Sequence, residues 1–304
     1  MNLKESLKSY EIGGIGDIKK HTLRFHSYGI GTESGKLTIY AEYETDHPPE
    51  VFNGYPAGQK LLIELCNLNL ELRGKTLEEC AQILIRWSLE NIHPYYYYND
   101  DVSQIEYLKD DPDPYWDTMV NVLGCYHIYV VDMVQELEQL YNNTMTVFAL
   151  RSLIAGNVNE AQRFYGEVRL PEDERLKKDK NLMLQWYRTE PKNRVGVIRQ
   201  FFENLPHFNM SLEYDILTGQ INLQPVVKSV IDAAYYGLGR FAAVNAGAIG
   251  DHGGKTNIAF CQACGRAFIK HGNRQKYCGT LECQSVRNNR KASDYYYRKK
   301  NEAK

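Results

Sequence analysis

The spacing of apolar and polar positions changes character near Gln59. Before it, KHTLRFHSYG (20–29) and KLTIYAEYET (36–45) are rich in β-branched and aromatic residues. They flank IGTESG, a stretch with two glycines, and the pattern predicts a β-hairpin. From Gln59 the period is helical. Thr76 followed by Glu79 predicts a capping box, and Leu77, Cys80, Ala81, Leu84, Ile85 and Ser88 then share one face of a helix that Pro94 ends. Trp116, Met119, Val120, Leu123, His127, Val130, Val134, Leu137 and Tyr141 recur at intervals of three and four. They predict a long amphipathic helix with His127 on its buried stripe. Further helix is expected over 142–166, and in pieces over 181–202, broken at Pro191. SLEYDIL and INLQPVV flank Thr218-Gly219 as a second extended pair. PVVKSVIDAAYYGLGRFAAVN reads as a helix with Pro225 in its first turn.

The connections carry less information. YYYYNDDVSQIEYLKDDPDPYWD (95–117) is aromatic and acidic, and reads as a connection whose tyrosines pack on neighbouring helices rather than as a binding loop. PEDERLKKDK (171–180) reads as a solvated loop or helix start. His21 and His26 fall in or beside the first strand as surface or packing residues. AGAIGDHGGKT (246–256) has four glycines in eleven residues and reads as a flexible linker. The expected fold is therefore α+β. A mainly helical body with an N-terminal β-hairpin spans 1–245 as a sensor or assembly domain. The linker follows, and then a small C-terminal module over 257–304.

Composition agrees with a globular protein, at 43% apolar and 24% charged residues. The 23 tyrosines supply contact area but identify no function. No apolar run is long enough for a signal peptide or a membrane helix, which predicts a cytoplasmic protein with no membrane partner. Charge is unevenly spread. Residues 255–304 hold 12 Lys+Arg and 3 Asp+Glu, a balance of +9, which leaves 24 basic and 35 acidic groups, a balance of −11, in the other 254 residues. A basic end on an acidic body points to nucleic acid as the partner of that end.

The chemistry sits in the same basic end. Of seven cysteines, Cys66, Cys80 and Cys125 are scattered among apolar neighbours and read as small buried hydrophobes. Cys125 and His127 are two apart and do not share a helix face. Cys261, Cys264, Cys278 and Cys283 cluster as C-x2-C-x13-C-x4-C, a spacing that favours a metal over disulfides. The first pair can form a knuckle in which backbone N–H groups point at sulfur, with Gly265 relieving the turn. The second pair follows after about one hairpin's length. Four thiolates complete a tetrahedral zinc site, so one structural zinc ion is expected, with no open position for catalysis. His271 is a spare ligand that four cysteines make unnecessary.

After the last cysteine, QSVRNNRKASDYYYRKKNEAK reads as a basic helix. Arg287, Arg290, Lys291 and Arg298 are spaced to share a broad face, and Lys299 and Lys300 extend the positive surface. Arg274 and Lys276 add charge in the metal loop. Tyr295, Tyr296 and Tyr297 interleave aromatic faces. Phosphates are attracted to such a surface by counterion release, and tyrosines can stack on bases. The expected nucleic-acid contacts are Arg274, Lys276, Arg287, Arg290, Lys291, Arg298 and Lys299.

The run C-x2-C-G-x2-F, basic spacer, Y-C-x4-C and Arg/Lys/Tyr helix resembles the CGNR-type zinc fingers of bacterial regulators, as does the preceding LQPVVKSVIDAAYYGLGRFAAVN. The resemblance covers roughly the last 80 residues. It implies zinc at the four cysteines, an ABATE-like helical domain before the finger, and a transcriptional regulator whose finger contacts DNA. The sequence departs from the signature tetrapeptide, with Gln284, Ser285 and Val286 after Cys283, and Tyr277 stands before the third cysteine.

The expected function is a DNA-binding transcriptional regulator of bacterial type, with DNA ahead of RNA as partner and a homo-oligomer left open. The alternative is a protein- or RNA-interaction module in a phage- or stress-related assembly. An enzyme is not expected. Nucleophile elbows, phosphate loops and metalloprotease helices are missing from the sequence, and Gly13-Gly14-Ile15-Gly16 does not fit a phosphate loop. Asp251-His252 faintly resembles the start of a metal-dependent nuclease motif, which makes a metal-dependent nuclease the minor alternative. His271 and Asn273, however, then fall inside the zinc loop.

Overall fold

The computed structural model describes residues 17–42, 50–56, 59–95, 127–154, 158–164, 210–215, 220–225, 229–246, 258–271 and 275–302, with single positions at 175, 179, 182, 185 and 227. It is a mixed structure of six helices and small antiparallel sheets among these residues.

The N-terminal strands are β1 (Asp17–Arg24), β2 (Ser27–Glu33), β3 (Lys36–Glu42) and β4 (Glu50–Pro56). The expected hairpin is present, but with different partners and a shorter turn. β2 pairs with β3 from Ser27↔Glu42 to Glu33↔Lys36, so the loop is only Ser34-Gly35. Both have positive φ, 51° and 77°, as a two-residue hairpin turn of matching twist requires. IGTESG is therefore mostly strand. Its Gly31, and Gly29 before it, lie beneath the Tyr40 ring. A Cβ on Gly29 would stand 2.3 Å from Tyr40 Cζ. The glycines mark a close approach, not a turn. KHTLRFHSYG is likewise split: the chain bends at Phe25-His26, and β1 pairs with β4, with a register shift between Ile18 and His21.

Helices α1 (Gln59–Leu72) and α2 (Leu77–Glu90) follow. The capping box forms as predicted: Glu79 N–H donates to Thr76 Oγ1 at 3.3 Å and Thr76 N–H to Glu79 Oε2 at 2.9 Å. Cys80, Ala81, Leu84 and Ser88 are buried. Leu77, at the first helical position, is instead exposed. The helix ends where Asn91 donates from its backbone and its side chain to the Trp87 carbonyl, before Pro94.

His127 is not on a helical stripe. His127–Tyr129 form β5, paired with β3, and α3 (Val130–Ile154) begins only after it. Ile128 is wholly buried, while His127 Nδ1 lies 3.0 Å from Glu33 Oε2 on β2. Three residues cannot reveal whether their period is two or 3.6, so a stripe counted back from α3 takes in His127 although it lies on a strand. Residues 96–126 lie outside the described residues, and with them Trp116, Met119, Val120, Leu123, Cys125 and most of the aromatic acidic stretch. Most of 165–209 and the linker positions 247–256, with Asp251 and His252, lie outside them too.

Helix α4 (Val158–Phe164) and the strands β6 (Met210–Asp215) and β7 (Gln220–Pro225) come next, the strands pairing as the second extended pair. Pro225 ends β7 opposite Met210 and does not open a helix. The last body helix, α5 (Val230–Ala246), starts later, where Asp232 N–H donates to the Ser229 hydroxyl at 3.1 Å. Helices α1, α3 and α5 pack on one another, and β3 packs on α2 and α3. Leu61, Leu65, Leu84, Ile128, Leu137, Ala234 and Leu238 fill the space between them. Each such leucine contributes roughly 1.5–3 kcal/mol by leaving water. No helix among the described residues is long and apolar enough to cross a membrane.

Candidate metal centre and basic groove

The C-terminal segment contributes β8 (Ile258–Phe260), β9 (Ala267–Ile269) and α6 (Leu281–Glu302). β8 pairs with β9, which places the tight turn 261–266 at the end of a two-stranded ribbon. Gly265 takes φ 74°, a value that glycine accepts without cost and that lets its N–H reach the Cys261 carbonyl at 3.0 Å. Cys278 comes in beside this turn, and Cys283 follows in the first turn of α6.

The four sulfur atoms lie within 4.8 Å of one another, and Cys264 Sγ is 3.7 Å from Cys278 Sγ. A tetrahedral ion with bonds of about 2.3 Å needs sulfur–sulfur edges of about 3.8 Å, so the set fits one metal ion with small adjustments. Among the described residues this is the one such cluster of potential ligands. His271 is exposed and belongs to no such cluster. Its N–H donates to Gln275 Oε1 at 2.9 Å.

The protein supplies donors to the sulfurs. Burial works against a charge on Cys261, but backbone N–H groups of Cys264, Cys278 and Ala263 outweigh it and bring the thiol down to about 6. The Cys278 N–H contact is 3.3 Å. Burial pushes Cys264 up to about 12, reinforced by the neighbouring thiols and opposed by the Arg266 N–H. The Thr280 hydroxyl draws Cys283 down, yet burial and the Cys278 and Cys261 thiols leave it raised. Four sulfurs so close cannot all carry charge without a cation among them. A bound dication would relieve that repulsion and take all four as thiolates.

Beside the cluster, the tip of the ribbon and the first half of α6 enclose a groove of about 920 Å³. Lys276, Arg287, Arg290 and Lys291 line it together with Gln262, Gln275, Tyr277, Gln284 and one acid, Asp294. Four of the seven basic residues singled out in the sequence thus meet at one concavity. The reason is helical geometry: Cys283, Arg287, Arg290, Lys291 and Arg298 recur at three, four or seven and share a face, so fixing Cys283 turns the arginines toward the groove. Arg298 lies farther out on that face, beyond the groove. Lys299 points to another side, with Nζ 5.2 Å from the Tyr295 ring centre. Arg274 lies outside the described residues. Arg290 does a second job: Nη1 donates to Tyr277 Oη at 3.1 Å and to Gln262 Oε1 at 3.5 Å, tying α6 to the knuckle.

Except for Cys283, α6 is exposed along 281–300. Tyr295, Tyr296 and Tyr297 stand 60–63% exposed, although such rings are usually at least half covered. The glutamines of the groove had no signal in the sequence, because neutral amides repeat with no period or charge.

Comparison with known protein families, curated proteins and solved structures finds no match for this chain.

Proposed function

We propose that this is a zinc-dependent nucleic-acid-binding protein, in which one structural zinc ion held by Cys261, Cys264, Cys278 and Cys283 positions a basic groove on the phosphate backbone of DNA. The observation that carries the reading is the convergence of Lys276, Arg287, Arg290 and Lys291 on one groove beside the four-cysteine cluster. Zinc is preferred because soft tetrahedral sulfur sets suit it and because a closed set of four leaves no position for catalysis. Free thiols also need a reducing compartment, which favours the cytoplasm. The groove is shaped for a backbone: its cations match phosphates, and Gln262, Gln275 and Gln284 can donate to phosphate or sugar oxygens. A role in transcription, with the body as sensor or assembly domain, follows from the CGNR-type resemblance.

The test is a triple variant, Lys276→Ala/Arg287→Ala/Lys291→Ala, which spares Arg290 and its tie to Tyr277. It should retain one zinc per chain. Its affinity for duplex DNA should fall for all sequences, and its salt dependence should become shallower by about one unit of slope for each phosphate it no longer neutralises. Unchanged affinity and slope would sink the groove as the DNA-binding surface. Tighter binding of single-stranded RNA than of duplex DNA by the wild type would favour an RNA module instead.

A further inference from the structure

The cysteine module is also held by the body. The side-chain amide of Asn67, on α1, meets both backbone polar groups of one residue of β9, Ala267. Nδ2 donates to the Ala267 carbonyl at 3.1 Å, and Oδ1 accepts from the Ala267 N–H at 2.8 Å, across 200 residues of sequence. Nearby, Arg163 Nη2 on α4 donates to the Phe260 carbonyl at 3.0 Å. The Phe260 ring is held edge-on by Tyr141, Phe148 and Phe164, with centroids 6.1, 5.0 and 6.0 Å away. Ile258, Phe260 and Ala267 therefore belong to the same buried cluster as the helices of the body.

These grips fall beside the ligands. Phe260 precedes Cys261. Ala267 follows Arg266, whose N–H points at the Cys264 sulfur and whose carbonyl accepts from Cys261 N–H at 2.8 Å. The body thus fixes the half of the site that carries Cys261 and Cys264. Cys278 and Cys283 belong to the other half, with the exposed helix α6. A metal bonded to all four sulfurs joins a body-anchored half to a solvent-facing half.

From this geometry we infer that Asn67 and the Phe260 socket couple metal occupancy to folding of the helical body: the ion stabilises the core, and the core in return tightens the site. The inference rests on the four thiolates binding a metal, as proposed above. Reciprocity is required, because a ligand that favours the docked state gains from whatever else favours it. Ala267 is buried, so removing the Asn67 amide leaves both its polar groups without a partner and makes docking costly.

All three tryptophans, Trp87, Trp116 and Trp186, precede residue 246, and Trp87 packs against the helical core, so tryptophan fluorescence of the full chain carries no signal from a tryptophan within the module. The experiment measures the chain's thermal midpoint with zinc and with excess chelator, and zinc affinity by competition with a coloured chelator. In the wild type, chelation should lower the midpoint by several degrees. Asn67→Ala should shrink that difference and weaken zinc binding by about tenfold. Arg163→Ala, at an exposed position, should act in the same direction and keeps the test available if Asn67→Ala does not fold. A merely structural role for Asn67 would lower both midpoints equally with zinc affinity unchanged, and would overturn the inference. So would a wild-type chain that takes up one ion yet unfolds at the same temperature with and without chelator. A chain that takes up no ion would overturn the metal reading itself and the coupling with it.

Discussion

Glu136 lies on α3 one turn beyond Asp132. Partial burial first, then Asp232 and Asp132, hold its carboxyl above the usual range. The folded chain therefore keeps a proton there that the unfolded chain has already lost. Stability must fall as pH rises from the ordinary carboxylate value through the raised one. Glu136→Gln removes that loss. The variant should unfold at a higher temperature than the wild type at pH 7, and the two should converge near pH 4. A variant no more stable at pH 7 would clear Glu136 of the penalty. Single residues differ in how far their roles can be read from the sequence. Cys66 reads correctly as a small hydrophobe among leucines: it is buried, and burial pushes its thiol up to about 12. Gly31 misleads, because the ring beside its missing Cβ comes from Tyr40, on the paired strand.

Helix α6 is polar on nearly every side, and a helix of that kind holds only by its ends or by a partner. It spans 22 residues, about 33 Å at the usual rise. Among the described residues, Cys283 in the cluster, Arg290 on Tyr277 and Gln262, and Gln284, whose Nε2 donates to the Gly279 carbonyl at 3.1 Å, anchor it to the rest of the chain. Removing the proposed zinc ion should release Cys283, and circular dichroism should then lose helical signal equivalent to most of α6. Full helicity after chelation would mean that α6 stands on side-chain pairs alone. Elements built from local signals are the ones the sequence reveals. The capping box at Thr76 and the cysteine spacing each need only neighbours along the chain, and both are where the pattern puts them. The pairing of β1 with β4 and the strand at His127 depend on partners dozens of residues away, and no local period encodes them. Asn67 is the extreme case: an amide within NLNLEL gives no hint of the backbone it meets 200 residues later.

At the scale of the molecule, two views of the C-terminal end compete. The charge balance of −11 against +9 and the glycine-rich stretch at 246–256 describe a body and a separable module. The buried cluster describes one core, with Phe260 seated among Tyr141, Phe148 and Phe164 and Ile258 beside it. Deleting residues 257–304 separates the two. A body independent of the module would keep its midpoint. A body that shares its core would expose the aromatic socket and lose roughly 3–6 kcal/mol from the burial of Ile258 and Phe260 alone. The truncated chain should then unfold well below the full-length protein and bind a hydrophobic dye such as ANS in its native baseline. An unchanged midpoint without dye binding would restore the separable module, and the basic groove would then act on a tether rather than on a fixed mount. The distinction bears on the proposed recognition of nucleic acid: a groove fixed to the body meets its orientational cost during folding, whereas a tethered one would meet it at every encounter.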